Sequence, residues 1–167
     1  MAFQLRWTGA HSNLGHIYYN IDHPVGESVG CDPEDVMLVQ ALLRLVFYEF
    51  KYCPPPAGRT FLKIDGKCGP STQAHLRAFK AQIRREGVPT IADGQIDPID
   101  GNPNTAATGR TKHRFVLEVL NHMTLEMAQR AGRPEARDFH TKPPENDVPV
   151  PDTLYKALQR THTWLNP

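Results

Sequence analysis

The chain has 167 residues, 40% of them apolar, which suits a single domain of modest core with extensions. Lysine and arginine number 19 against 18 acids, and the formal net charge of +1 gives neither the basic footprint of a nucleic-acid binder nor a polybasic membrane patch. No apolar run reaches the length of a membrane span, and residues 1–7 lack the basic region and apolar core of a Sec-type signal. The expectation is therefore a chain made in the cytoplasm; if it leaves, another machine exports it, lysis releases it, or its leader has been lost.

In chain order, Phe3, Leu5 and Trp7 alternate with polar residues at the period of a half-buried strand. A second strand, rich in aromatic and β-branched residues, runs over 16–21, and the stretch Gly9 to Gly15 reads as the turn of a hairpin. Asp32-Pro33-Glu34-Asp35 is a helix start: Asp32 caps, Pro33 suits the first helical position and the acids complement the dipole. Val36, Val39, Leu43, Val46 or Phe47, and Phe50 continue at spacings of three and four, predicting an amphipathic helix over 33–50 that Pro54-Pro55-Pro56 ends. A second helix, capped by Gly69 or Ser71 with Pro70 near its start, carries Leu76, Phe79 and Ile83 as its stripe, widened by Ala74 and Ala78, and stops at Gly87. Residues 97–110 read as an irregular loop. A third helix over 111–131 turns Val116, Val119 or Leu120, Met123 and Met127 to one face before Gly132. A Pro-rich connector, 133–151, leads to a last helix capped by Asp152, with Leu154, Leu158 and Leu165 on one side. The fold class is mainly α: a small three-helix bundle over 31–131, preceded by a hairpin extension over 1–30 and followed by the connector and an extra C-terminal helix over 132–167.

One local pattern occurs twice. Ile64-Asp65-Gly66-Lys67-Cys68-Gly69-Pro70-Ser71-Thr72 is a sharp reversal feeding the second helix, and Ile91-Ala92-Asp93-Gly94-Gln95-Ile96 repeats its Asp-Gly core after that helix. Apolar residues two places from each glycine (Ile64 and Cys68, Ala92 and Ile96) would pin each turn to the helices. Thr72 can bond backbone groups of the first helical turn. With Asp35-Val36, Val39-Gln40, Leu42-Leu43, Leu76, Phe79-Lys80 and Gly87 in order, residues 30–127 resemble the peptidoglycan-binding domain found beside many bacterial cell-wall hydrolases. The chain departs from that pattern in Lys80 for the usual Gln, in Cys68 for a larger apolar residue, in the added length of 51–60, and in the 97–110 insertion after the second turn.

The resemblance implies non-catalytic binding of cell-wall glycan or stem peptide. A muropeptide offers carboxylates, amides and hydroxyls, and the candidate contacts near the first turn are Asp65, Thr72, Gln73, Arg77 and Lys80. For Asp65 and Thr72 the plainer reading is turn and cap, and for Arg77 and Lys80 a solvated helix face. An alternative is a protein–protein adaptor or structural subunit on the same fold, by analogy with leaderless parts of phage or contractile secretion machinery. A zinc-dependent wall hydrolase is the weakest reading: His11, His16, Asp22 and His23 cluster without a metallopeptidase spacing, His-Glu-x-x-His is absent, and the extensions are too short for a catalytic domain. Neither cofactor nor metal is expected. The three cysteines, Cys31, Cys53 and Cys68, lack a CxxC pair and read as free thiols. Cys68 stands before a helix, where a thiol can become nucleophilic, but it reads better as a small apolar residue.

Overall fold

In the computed structural model, which describes residues 1–7, 17–27, 29–59, 61–90, 94–99, 116–137, 139 and 150–164, the described part is mainly α. Its α-helices are α1 (Pro33–Arg44), α2 (Pro70–Arg85), α3 (Val116–Arg130) and α4 (Asp152–Ala157). The strands are β1 (Phe3–Trp7), β2 (Ile17–Asn20), β3 (Val25–Gly26), β4 (Gln95–Ile96) and β5 (Thr161–Trp164). No helix among the described residues is long and apolar enough to cross a membrane.

The first helix begins as expected. Asp32 is extended (φ −69°, ψ 129°), and its carboxylate accepts the backbone N–H groups of Glu34 and Asp35 at 2.9 and 3.3 Å. Pro33 occupies the first helical position. The rest of α1 is a correction to the amphipathic reading. From Leu38 to Phe47 every residue is buried, and the helix packs against α2, α3, α4 and β3. It is the axle of the molecule, and such a helix must find partners for any polar residue it carries. The α-helical geometry also ends earlier than expected, at Arg44, and widens into a π turn over Leu45–Glu49, where the Phe50 N–H reaches the Leu45 carbonyl at 2.8 Å.

Helix α2 is capped by Gly69, not Ser71, without a side-chain cap bond, and Pro70 opens it. Gly87 and Gly132, at φ +86° and +66°, come just after the last turns of α2 and α3. For the third helix, 111–115 lie outside the described residues.

Strands β1 and β2 pair antiparallel, with Phe3 opposite Asn20 and Arg6 opposite Ile17. The turn expected to join them lies outside the described residues. The C-terminal reading needs correction. Helix α4 covers only six residues and is capped by Pro151, with Asp152 already helical. The chain then extends into β5, which lies parallel to β1 with Gln4 opposite Thr161 and Trp7 opposite Trp164. The sheet order is β2-β1-β5, so the two terminal extensions meet in one sheet. Gln4 reinforces this: its backbone N–H donates to Arg160 O at 3.0 Å and its side-chain amide to Leu158 O at 2.5 Å. Leu165 lies outside the described residues.

Two buried asparagines tie the sheet to its surroundings, one to α3 and one to the segment after β4. Asn121 of α3 accepts the Tyr19 N–H at 2.8 Å and donates to the Tyr19 carbonyl at 2.8 Å, as a neighbouring strand would. Asn20 does the same for Ile99, donating to its carbonyl at 3.0 Å and accepting its N–H at 2.8 Å. Each amide satisfies backbone groups that burial would otherwise strand.

Residues 91–93 of the second Asp-Gly turn lie outside the described residues. Immediately after Gly94 the chain is paired: Gln95 and Ile96 form β4 against Gly26 and Val25 of β3. The two backbones come so close that a Cβ on Gly26 would sit 2.6 Å from Gly94 O and 2.7 Å from Gln95 Cα. Of the 97–110 loop, residues 97–99 are described, and they have no regular structure.

Candidate functional site

The Asp65-Gly66 turn is held from within by Gln40. This side chain belongs to the wholly buried part of α1 and is 1% exposed. Its Oε1 accepts the N–H groups of Asp65 and Gly66 at 2.9 and 3.0 Å. Its Nε2 donates to Asp65 Oδ1, Thr72 Oγ1 and Lys67 O at 3.0, 3.0 and 3.1 Å. Gly66 takes φ +71°, and a Cβ there would lie 3.0 Å from both Met37 Cε and Pro33 O, so the position needs glycine twice over. Burial alone would raise the Asp65 carboxyl. The bonds from Gln40 and the Lys67 N–H, with the Lys67 charge, outweigh it and hold the group below the ordinary carboxylate range.

The five residues expected at a binding site are all committed to partners within the protein. Asp65 and Thr72 meet at Gln40, and the Thr72 hydroxyl donates to Lys67 O at 3.0 Å. Gln73 donates to Cys68 O at 3.2 Å. Arg77 and Lys80 lie one turn apart on α2 and reach the β3–β4 ladder, Arg77 pairing with Glu27 and the 4%-exposed Lys80 donating to Gln95 O. The structure thus joins Asp65 with Thr72, sets Arg77 beside Lys80, and leaves Gln73 local.

Sequence reasoning missed a cluster at the π turn of α1. Phe61 is 51% exposed, the sole large apolar side chain so open among the described residues. The Arg44 guanidinium lies 4.3 Å from its ring centroid. Arg44 itself is only 7% exposed, and its Nε finds no hydrogen-bond partner among the described residues. Burial pushes the guanidinium below its ordinary value, opposed by Glu49 and Tyr48. Tyr48 packs at 6.1 Å from the Phe61 ring and at 5.8 Å from the ring of His75. His75 is fully buried, edge-on to Phe47 at 5.1 Å. Its Nδ1 lies 2.8 Å from the Ser71 carbonyl, an acceptor only, so Nδ1 carries the proton and Nε2 accepts the Tyr48 hydroxyl at 2.8 Å. Burial lowers the His75 pKa and keeps the ring neutral. The patch therefore offers an open aromatic face over a guanidinium, with a rigid hydroxyl beside it. The signal in the sequence was Gln40 and Arg44, two polar residues four apart in the most apolar run of the chain.

A concavity of about 490 Å³ opens between α3 and the end of α2. Val88, Val119, Met123 and Met127 supply apolar surface, and Glu86, Glu118, Glu126, His122 and Arg130 supply charge. Tyr52 donates its hydroxyl to Glu86 at the rim, and burial followed by that bond raises the phenol well above its ordinary value.

Of the histidine cluster, His11 and His16 lie outside the described residues. Asp35, fully buried, accepts the backbone N–H of His23 at 3.1 Å and lies 2.7 Å from the Met1 amine, which Asp22 also faces at 3.4 Å. No group of three or more His, Cys, Asp and Glu suited to a metal ion occurs among the described residues. Cys68 is no activated nucleophile: burial and the neighbouring Cys31 thiol push it up to about 12. No family model, no curated protein and no solved structure matches this chain.

Proposed function

We propose that the protein binds bacterial cell-wall peptidoglycan, through glycan or stem peptide and without catalysis, as a targeting or anchoring part acting at the periplasm or wall. In this reading α1, α2 and α3 correspond to the three helices of the peptidoglycan-binding domain that residues 30–127 resemble, with 1–30 and 132–167 as added extensions. The observation that carries the reading is the half-exposed Phe61 ring backed by Arg44. An open aromatic face stacks on the apolar face of a sugar, and the buried Arg44 guanidinium beneath it holds the ring in place. The Asp65-Gly66 turn contributes architecture, since its polar groups are spent on Gln40.

Sedimentation with purified sacculi tests this. The protein should co-sediment, and Phe61→Ala should weaken retention by about tenfold, equivalent to ~1.4 kcal/mol, while leaving the circular dichroism spectrum unchanged. No retention across several pH and salt conditions would sink the reading.

The adaptor reading has its own support in the cleft lined by Met123 and Met127 and edged by Glu86, Glu118 and Glu126. Flexible thioethers beside carboxylates suit a basic, amphipathic protein segment. Loss of co-purifying protein on Met123→Lys, with sacculus binding absent from the parent, would favour it.

A further inference from the structure

We propose that Cys31 and Cys68 form an intramolecular disulfide when the protein meets a small-molecule or protein disulfide, a modification that ties the loop after β3 to the turn before α2. The two residues are far apart in sequence, but their sulfurs converge on one atom. Cys31 Sγ and Cys68 Sγ each lie 3.5 Å from the carbonyl oxygen of Gly26. The two thiols also act on each other electrostatically, the Cys31 thiol helping to raise that of Cys68. Both residues are half-buried, open enough for a reagent to reach and enclosed enough to hold the pair together. Cys53, the third thiol, is 2% exposed, and burial pushes it up to about 12.

The chemistry is thiol–disulfide exchange with an oxidant R–S–S–R. The Cys31 thiolate attacks one sulfur of the oxidant, forms a mixed disulfide and releases R–S⁻, which takes up the proton that Cys31 lost. The Cys68 thiolate then attacks Cys31 Sγ, forms the internal S–S bond and expels the second R–S⁻, which takes the Cys68 proton. Two thiols lose two electrons and two protons, and one disulfide becomes two R–SH. Because burial and Cys31 raise the Cys68 thiol, the second step accelerates with pH. The Gly26 carbonyl loses only weak S–H donors when the bond closes. In a reducing compartment the clamp stays open, and in an oxidising one it closes. The bond would fasten the segment after the Asp65-Gly66 turn to the loop after β3, closing a loop that contains the whole of α1. This inference stands whether or not the protein binds the wall.

The test uses the full chain with oxidised glutathione at pH 8.5, quenched by alkylation in denaturant. Of the 3 cysteines, only Cys53 should then be alkylated, with Cys31 and Cys68 recovered as one linked peptide pair by mass spectrometry. The melting midpoint should rise by on the order of 10 °C and fall back on reduction. Cys31→Ser should abolish the shift, and Cys53→Ser should preserve it. Alkylation of all three cysteines after oxidation, a stable glutathione adduct without the internal bond, or linkage through Cys53 or between chains would each overturn the proposal.

Discussion

Replacing Gln40 with Leu removes the polar centre of the Asp65-Gly66 turn while keeping side-chain volume, so no cavity contributes. The parent amide accepts two backbone N–H groups and donates to three oxygens. Thr72 keeps its bond to Lys67 O, and the Asp65 carboxylate keeps its bond from the Lys67 N–H. The variant strands the Asp65 and Gly66 N–H groups, which face the helix, and one lone pair each on Asp65, Thr72 and Lys67. Counting about 1 kcal/mol for each of the two backbone bonds, with a partial penalty for donors that water reaches incompletely, Gln40→Leu should cost roughly 2–4 kcal/mol. For a chain of this size that is a drop in melting midpoint of roughly 5–15 °C, read by differential scanning calorimetry. Gln40→Glu should fare worse at neutral pH, because it places a second carboxylate beside Asp65 and loses the donor. A midpoint within about 2 °C of the parent for Gln40→Leu would refute the account of the turn as held from α1.

His75 should make stability fall with acid. Its folded pKa is lowered, so between that value and the unfolded value near 6.5 the unfolded chain binds the extra proton, and stability is lost as pH drops through that window. Urea midpoints from pH 8 to pH 5 should therefore decline less steeply in His75→Asn than in the parent, and equal slopes would contradict the buried neutral ring. Gly26→Ala should destabilise by about 2 kcal/mol, since the new methyl meets backbone on β4 that cannot yield. Gly30→Ala, where a Cβ meets nothing within 4 Å, is the control and should leave the urea midpoint unchanged or slightly raised.

The features legible in the chain were those decided by neighbours in sequence. Asp32, Pro33 and the two acids form a start signal within four residues, and the structure uses it as written. The Gly66 reversal and the period-two strand at β1 are equally local. Strand β5 was missed for the opposite reason. Leu154, Leu158 and Leu165 keep helical spacing, but Thr161 to Trp164 are β-branched and aromatic at alternate places, and pairing with β1 decides the outcome. The two-residue ladder of β3 and β4 carries no periodicity to read. The Phe61 patch fails the same way: a loop residue, a buried arginine and a histidine on the next helix become one surface only after α1 and α2 pack. The convergence of Cys31 and Cys68 on Gly26 likewise belongs to the folded chain alone.

The place of β1 between β2 and β5 sets an order on synthesis. Emerging from a ribosome, the chain can pair β1 with β2 and bury α1 against α2 and α3 while one edge of β1 is still bare. That edge is a row of unpaired N–H and C=O groups, a template for any extended chain nearby. Its native occupant is released only when residues 161–164 emerge, after every described helix has been made. Closure across so long a loop is slow relative to local pairing. The nascent molecule therefore passes through an interval in which α1, α2 and α3 can pack while the sheet is unfinished, and crowding of ribosomes on one message would bring neighbouring copies near each other's open strand.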